Sequence, residues 1–194
     1  MTERTEIIQY LIDKIKAKSY LEIGMGPGLN FSSIKCDYKI CVDPNPTVPV
    51  THKMTSDDFF NQNKEKFDVI FIDGLHWNPQ VYNDINNSLN VLNDNGYIIC
   101  HDINPSTEIM QLYPAYAPNT EWTGDCWKAW ALLRSENKNL TMHVVDTDYG
   151  CGIISKGSQD LFEIEDELTW EYLFNNRKEL LNLISVDTFK KIYE

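Results

Sequence analysis

Four acids, two histidines and three glycines in this chain stand where their types and spacing could do chemistry. Asp73 and His76 lie three residues apart in Ile72-Asp73-Gly74-Leu75-His76, and His101-Asp102 follows the apolar run Tyr97-Ile98-Ile99-Cys100. Glu22 and Asp43 each close an earlier apolar run, 21 residues apart. Imidazole is a general base near neutral pH without a large pKa shift. Two carboxylates brought to one place must share a proton or hold a cation. After Glu22, glycines recur at 24, 26 and 28, and such a turn lets backbone approach a ligand closely. The dinucleotide fingerprint needs glycines at its first, third and sixth positions, whereas position 29 here is Leu. An acid ending the strand before this turn suits an amino group and ribose hydroxyls better than a pyrophosphate. Blander readings compete: a glycine-rich surface turn, an Asp43 capping its own turn, and a His76 bonded to its own loop.

Acting together requires strand ends that share one rim. Apolar residues at 7, 8, 11, 12 and 15 mark one helical face over Thr5–Ala17, with Thr5 as cap. Strands are predicted at 20–23, 38–42, 48–52, 67–72 and 97–100, and a last pair at 140–145 and 152–155. Between them come short helices near 31–34 and after Thr55, where Ser56 or Asp57 could cap the helix. A longer helix starts at Asn78-Pro79 and buries Val81, Ile85, Leu89 and Leu92. Another, opened by Gly124-Asp125, runs to Arg134 with Trp127 and Trp130. The stretch 105–124, with three prolines and aromatics at 113, 116 and 122, reads as a substrate loop or lid, or as a loop packed on its own domain. From Asp166 a helix is expected, with Leu173, Leu180, Leu181 and Ile184 on one side.

The pattern Glu22-x-Gly24-x-Gly26-x-Gly28 resembles motif I of the class I S-adenosylmethionine-dependent methyltransferases. The resemblance implies a Rossmann-like α/β fold: a doubly wound, mostly parallel seven-stranded sheet with a terminal antiparallel hairpin and helices on both faces. It further implies that Glu22, Gly24, Gly26, Gly28, Asp43 and Asp73 border the cofactor, with Asp43 on the ribose. Ser56 and Asp57 would border adenine, as in the catechol-type O-methyltransferases. The Asp73-x-x-His76 and His101-Asp102 set is similar to small-molecule and sugar O-methyltransferases, including macrolide-sugar enzymes and proteins of glycan-modification genes. By that similarity His76 is the base, while Asp73 and Asp102 hold Mg2+. His101 replaces an acid of those relatives, which weakens the metal or points to a softer ion such as Mn2+. His101 thus stands open as base, ligand or structural partner. Asp125 and Trp127, just after the long loop, are candidate substrate-pocket residues, with a capping Asp and a core Trp as the alternative.

Length and composition bound the rest. With 194 residues, 42% hydrophobic and 24% charged, one domain is expected: an N-terminal helix 1–18, a cofactor-binding core 19–155 and a helical tail 156–194. Seventeen basic against 29 acidic residues give a net charge of −12, which disfavours a nucleic-acid substrate. No apolar run approaches the ~20 residues of a membrane span. Five cysteines without a Cys-x-x-Cys pair, and an N-terminal stretch unlike a signal peptide, point to reduced thiols in the cytoplasm. The expected activity is S-adenosylmethionine-dependent O-methylation of a sugar, glycan precursor or polyol, metal-assisted if Mg2+ or Mn2+ binds. The expected partner is a small-molecule or saccharide acceptor, and a homodimer is compatible with the tail. Methylation of an amine or phenol without metal, and a catalytically silent cofactor-binding module, are the alternatives.

Overall fold

The computed structural model describes residues 3–118 and 120–194. Seven strands form one sheet: β1 (Ser19–Ile23), β2 (Tyr38–Val42), β3 (Phe67–Ile72), β4 (Leu92–Cys100), β5 (Leu140–Val145), β6 (Cys151–Lys156) and β7 (Leu183–Ile184). Their order across the sheet is β2-β1-β3-β4-β6-β5-β7. The first four run parallel, and β6 lies antiparallel to both β4 and β5. The chain leaves β1 for β2 on one side, then crosses back to β3 on the other. That reversal opens a crevice at the carboxyl ends of β1 and β3, where open α/β sheets bind ligands.

Helices α1 (Arg4–Ile15), α2 (Leu29–Ser33), α3 (Ser56–Gln62), α4 (Asn78–Val91), α5 (Cys126–Glu136), α6 (Trp170–Leu181) and α7 (Val186–Ile192) cover the sheet. Side chains alternate across a strand, so β3 feeds two cores. Ile70 and Ile72 pack with Val81 and Ile85 of α4, Trp130 of α5 and Leu173 of α6. Val69 and Phe71 pack with Ile7, Ile8 and Leu11 of α1 and Phe189 of α7. Sandwiched between layers, β3 is apolar on both faces, as its sequence predicts. Among the described residues no helix is long and apolar enough to cross a membrane.

Three expectations are corrected. Residues 48–52 form no strand: only His52 bridges Val42, because prolines at 44, 46 and 49 remove the donors a ladder needs. The seventh strand is instead β7, parallel to β5, inside the stretch expected to be helical. Asn182 at φ 49 stops α6, its N–H reaching back to the Lys178 and Glu179 carbonyls, and turns Leu183–Ile184 onto the sheet edge. Thr5 does not cap α1; Glu3 holds the N-cap position, and the Thr5 hydroxyl donates to Asn30 Oδ1 at 2.7 Å.

Candidate active site

Parallel register builds the rim. Ile23 of β1 lies level with Val42 and Ile72, and Ile72 with Cys100. The next residues of each strand, Gly24, Asp43, Asp73 and His101, therefore emerge in one row. Backbone bonds fix it: Gly24 N donates to Val42 O at 2.9 Å, Asp73 N to Ile23 O at 2.8 Å and His101 N to Ile72 O at 3.0 Å. Gly24 has φ +82, and a Cβ there would sit 2.2 Å from the Asp73 carbonyl oxygen, so only glycine lets β1 and β3 end this close. Gly26, at φ +51, faces open space. Gly28 begins α2 and packs toward Val48, away from the crevice.

Two cavities meet on this row. The first, about 440 Å³, lies between the glycine turn, Asp43, the start of α3 and the first turns of α4. The second, about 680 Å³, runs past Glu22, Asn30, Arg4, His76, Asp102 and Trp122. Gly24, Gly26 and Asp73 line both. Asp43 Oδ2 accepts from Met25 N at 3.0 Å and Gly26 N at 3.1 Å, while its Oδ1 accepts from Asn45 N. Its carboxylate thus holds the glycine turn against the first cavity and also caps its own turn. Thr55, rather than Ser56 or Asp57, caps α3 by accepting from Asp58 N at 3.1 Å. Ser56 and Asp57 are left to line the first cavity.

Glu22 lies one residue below the rim, 1% exposed, and faces the second cavity. Tyr20 Oη donates to its Oε2 at 2.5 Å and Asn30 Nδ2 at 2.8 Å. Burial pushes its pKa up to about 7 despite these donors.

Beyond the rim stands a cluster of acids and imidazoles. His76 Nε2 lies 3.3 Å from both Asp73 Oδ1 and Asp102 Oδ2. His101 Nδ1 lies 3.1 Å from Asp102 Oδ2 and 3.4 Å from Asp73 Oδ1, and its Nε2 is 3.5 Å from Asp148 Oδ2. Asp102 has φ +61, a strained backbone state for a non-glycine residue and one that recurs at functional sites. Burial alone would lower the His76 pKa, but Asp73 and Asp102 outweigh it and raise it. His101 is likewise raised well above its usual value, burial opposing and Asp102, Asp148 and Asp73 prevailing. Burial works against the Asp73 carboxylate, yet His101 and His76 hold it well below the ordinary range. Nδ1 of His76 and both ring nitrogens of His101 are buried without a hydrogen-bond partner among the described residues.

Of these nitrogens, His101 Nδ1 stands beside the Asp73 and Asp102 oxygens, a donor set that fits a cation. Single ligand atoms of Asp73, His76 and Asp102 all lie within 4.8 Å of one another. His101 Nδ1 stands close to two of the same oxygens. Two carboxylates with imidazole nitrogen suit a first-row divalent ion better than an all-oxygen magnesium shell. The His101 side chain is 1% exposed and lies on the floor of the second cavity, which it lines.

The two substrate-pocket candidates sit elsewhere. Trp127 is fully buried in the core, and its Nε1 donates to Gln111 Oε1 at 2.7 Å. Asp125 Oδ1 accepts from Asn78 N at 2.6 Å and so caps α4. Neither lines either cavity. The long loop does reach the site. Trp122 stacks on His76 with ring centroids 4.9 Å apart, Tyr113 on Trp122 at 6.1 Å, and Trp77 on Tyr113 at 6.0 Å.

Several further site residues are not singled out by the sequence analysis. Arg4, in the first turn of α1, pairs with Asp73 Oδ2 at 2.9 Å and Asp148 Oδ2 at 2.8 Å. Asp148 lies in the turn between β5 and β6, and no local pattern links it to a helix 144 residues earlier. Gln80 and Asp84 read as ordinary polar positions of α4. Asp84 breaks the buried stripe of Val81, Ile85 and Ser88, a signal that was available.

Comparison with known proteins follows the same lines. Residues 37–103 match the family model described as a methyltransferase domain. Search of curated proteins finds no match. Among solved structures, a Staphylococcus aureus protein provisionally described as a caffeoyl-CoA O-methyltransferase is similar with TM-score 0.60 and 18% identity, covering 81% of this chain and 85% of that one. The O-methyltransferase from Bacillus cereus in complex with SAH gives 0.55 and 16%, covering 78% of each chain. MycE methyltransferase of the mycinamycin biosynthetic pathway, in complex with Mg, SAH and mycinamycin VI, gives 0.50 and 14%, covering 81% of this chain and 50% of that one. At these identities the likeness establishes the fold, the Rossmann-like sheet of class I methyltransferases.

Proposed function

Taking a class I methyltransferase domain as the premise, we propose that this protein transfers the methyl group of S-adenosylmethionine to a hydroxyl of a sugar, glycan precursor or similar polyol. The observation that carries the proposal is the meeting of Asp73, His76 and Asp102 beside the border shared by the two cavities. The cofactor nucleoside takes the first cavity, with Asp43 on the ribose and Ser56 and Asp57 beside the adenine. Its amino-acid end passes the amides of Gly24 and Gly26 toward Glu22 and Asp73. That the Bacillus cereus structure of similar fold is a complex with SAH supports this class of cofactor.

The acceptor enters the second cavity and presents its hydroxyl to His76 Nε2. His76 must be neutral to take that proton. Against the effect of burial, Asp73 and Asp102 raise the pKa of the ring and so favour its protonated form. A cation held by those carboxylates would offset their charge and favour the neutral ring, whose Nε2 could then accept the proton. Trp122 fixes the ring plane. Asp73, Asp102 and His101 would hold a divalent ion, which, when bound, lowers the pKa of a coordinated hydroxyl. In-line geometry, held by the two adjoining cavities, supplies the remaining acceleration.

One observation favours a second reading. Glu3, Glu22, Asp73, Asp102 and Asp148 line the acceptor cavity, a wall that also suits a protonated amine. Methyl transfer from labelled cofactor to a panel of sugars, phenols and amines, with and without chelator, separates the two. The proposal expects sugar labelling that falls on chelation. Labelling of amines alone, unaffected by chelator, would replace the first reading with the second.

A further inference from the structure

The first cavity ends on a polar wall whose composition is unusual for its place in the fold. Val81, Asp84, Ile85 and Ser88 form the buried stripe of α4, the face that packs on the sheet. An apolar side chain belongs at the Asp84 position, yet a carboxylate stands there with 1% exposure and lines the cavity. Burying a carboxylate among core residues costs free energy unless something is gained by it. Departures of this kind from the local pattern concentrate at functional positions.

Its surroundings say what is gained. Gln80 Nε2 lies 3.0 Å from Asp84 Oδ1, 3.1 Å from Asp57 Oδ1 and 3.3 Å from Ser56 Oγ. Gln80 Nε2 has two N–H bonds to give and the Ser56 hydroxyl one more, against the four oxygens of two carboxylates, so the wall is rich in acceptors. Burial, the largest influence, pushes the Asp84 pKa up to about 6, with Ser56 and Gln80 pulling the other way. A ligand that brings N–H groups to this wall is paired; one that brings a carbonyl oxygen meets further acceptors.

We propose that Asp84, backed by Gln80, reads the exocyclic amine of the cofactor's base and makes the nucleoside cavity selective for adenine over a 6-oxo purine. The inference rests on the cofactor assignment above and adds a specificity residue on α4 to the Ser56-Asp57 pair on α3. A site built to accept from a ligand N–H rejects the analogue lacking it by orders of magnitude, because its polar groups are then left unpaired.

The test is calorimetric titration of the whole protein with S-adenosylhomocysteine and with S-inosylhomocysteine. Wild-type protein should bind the adenosyl compound at least about 100-fold more tightly. In Asp84→Asn the side-chain amide can present an N–H to the 6-oxo group, so the ratio should fall to within about tenfold of unity. The shape is conserved, and the circular dichroism and melting temperature of the variant check its fold. Asp57→Asn, on the exposed side of the same wall, should keep most of the preference. A wild-type ratio near one overturns the inference without need of any variant. So does an Asp84→Asn protein that keeps the full ratio, or a preference that vanishes in Asp57→Asn instead. Binding of neither compound to the wild type removes the cofactor reading itself, and this inference with it.

Discussion

Glu22 and His76 make opposite demands on protonation, and each can be checked at its own atom. For Glu22 the folded pKa is about 7 against an ordinary 4.5. Its stabilising contribution is therefore fully present below about pH 4.5 and is lost as pH rises through 7. A difference of this size is worth roughly 3 kcal/mol at its limit. Glu22→Gln removes the titration while keeping the shape. The melting temperature of the wild type relative to this variant should thus drop between pH 5 and pH 8. A constant gap would mean that the carboxyl is not buried as described. For His76 the expectation concerns turnover: His76→Ala should lose about 100- to 10,000-fold in methyl transfer. Calorimetry should meanwhile find its affinity for S-adenosylhomocysteine within about threefold of wild type, a margin well under the tenfold that about 1.4 kcal/mol represents. Full turnover in that variant would assign the proton to another group.

At the scale of elements, the glycine turn is held from both sides. The Asp73 carbonyl leaves no room for a side chain on residue 24, and the Asp43 carboxylate binds two amides of the turn. Gly24→Ala should destabilise the protein by about 2–3 kcal/mol, by the clash and the positive φ together. Urea unfolding measures it, and an unchanged midpoint would show that the strand ends are looser than described. With Asp43 on the ribose as proposed, Asp43→Ala should weaken binding of S-adenosylhomocysteine by about tenfold in calorimetric titration, and unchanged affinity would remove that contact. The parallel strands and the acids at their ends were legible in the sequence because each is a local pattern: an apolar run, then a polar residue, then a turn. The segment at 48–52 misled because its valines read as strand while its prolines decided the outcome. Leu183–Ile184 could not be read, since two residues carry no periodicity and their pairing with β5 is set by tertiary structure. Trp127 and Asp125 lie near the site in sequence but turn into the core and onto α4, and helix phase decides such matters more than proximity does.

Across the whole molecule, the site joins parts that the chain keeps far apart. Arg4 in the first helix meets Asp73 at the rim and Asp148 in the last hairpin, and His101 lies between those two acids. Replacing Arg4 by Met should cost about 1–2 kcal/mol, since the pair is only partly screened from water. Amide exchange should then quicken in α1 and in the 146–150 turn alike. Quickening confined to α1 would mean that the two ends are not coupled. This long reach also orders events in time. Contacts between residues 144 positions apart form only after a large loop has closed, which is slow. While the chain is still emerging from the ribosome, Arg4 and Asp73 are already made, but Asp148, the second carboxylate on the guanidinium and a neighbour of His101, is not. Competence for binding should therefore arrive abruptly, when the final hairpin reaches the first helix, rather than growing strand by strand.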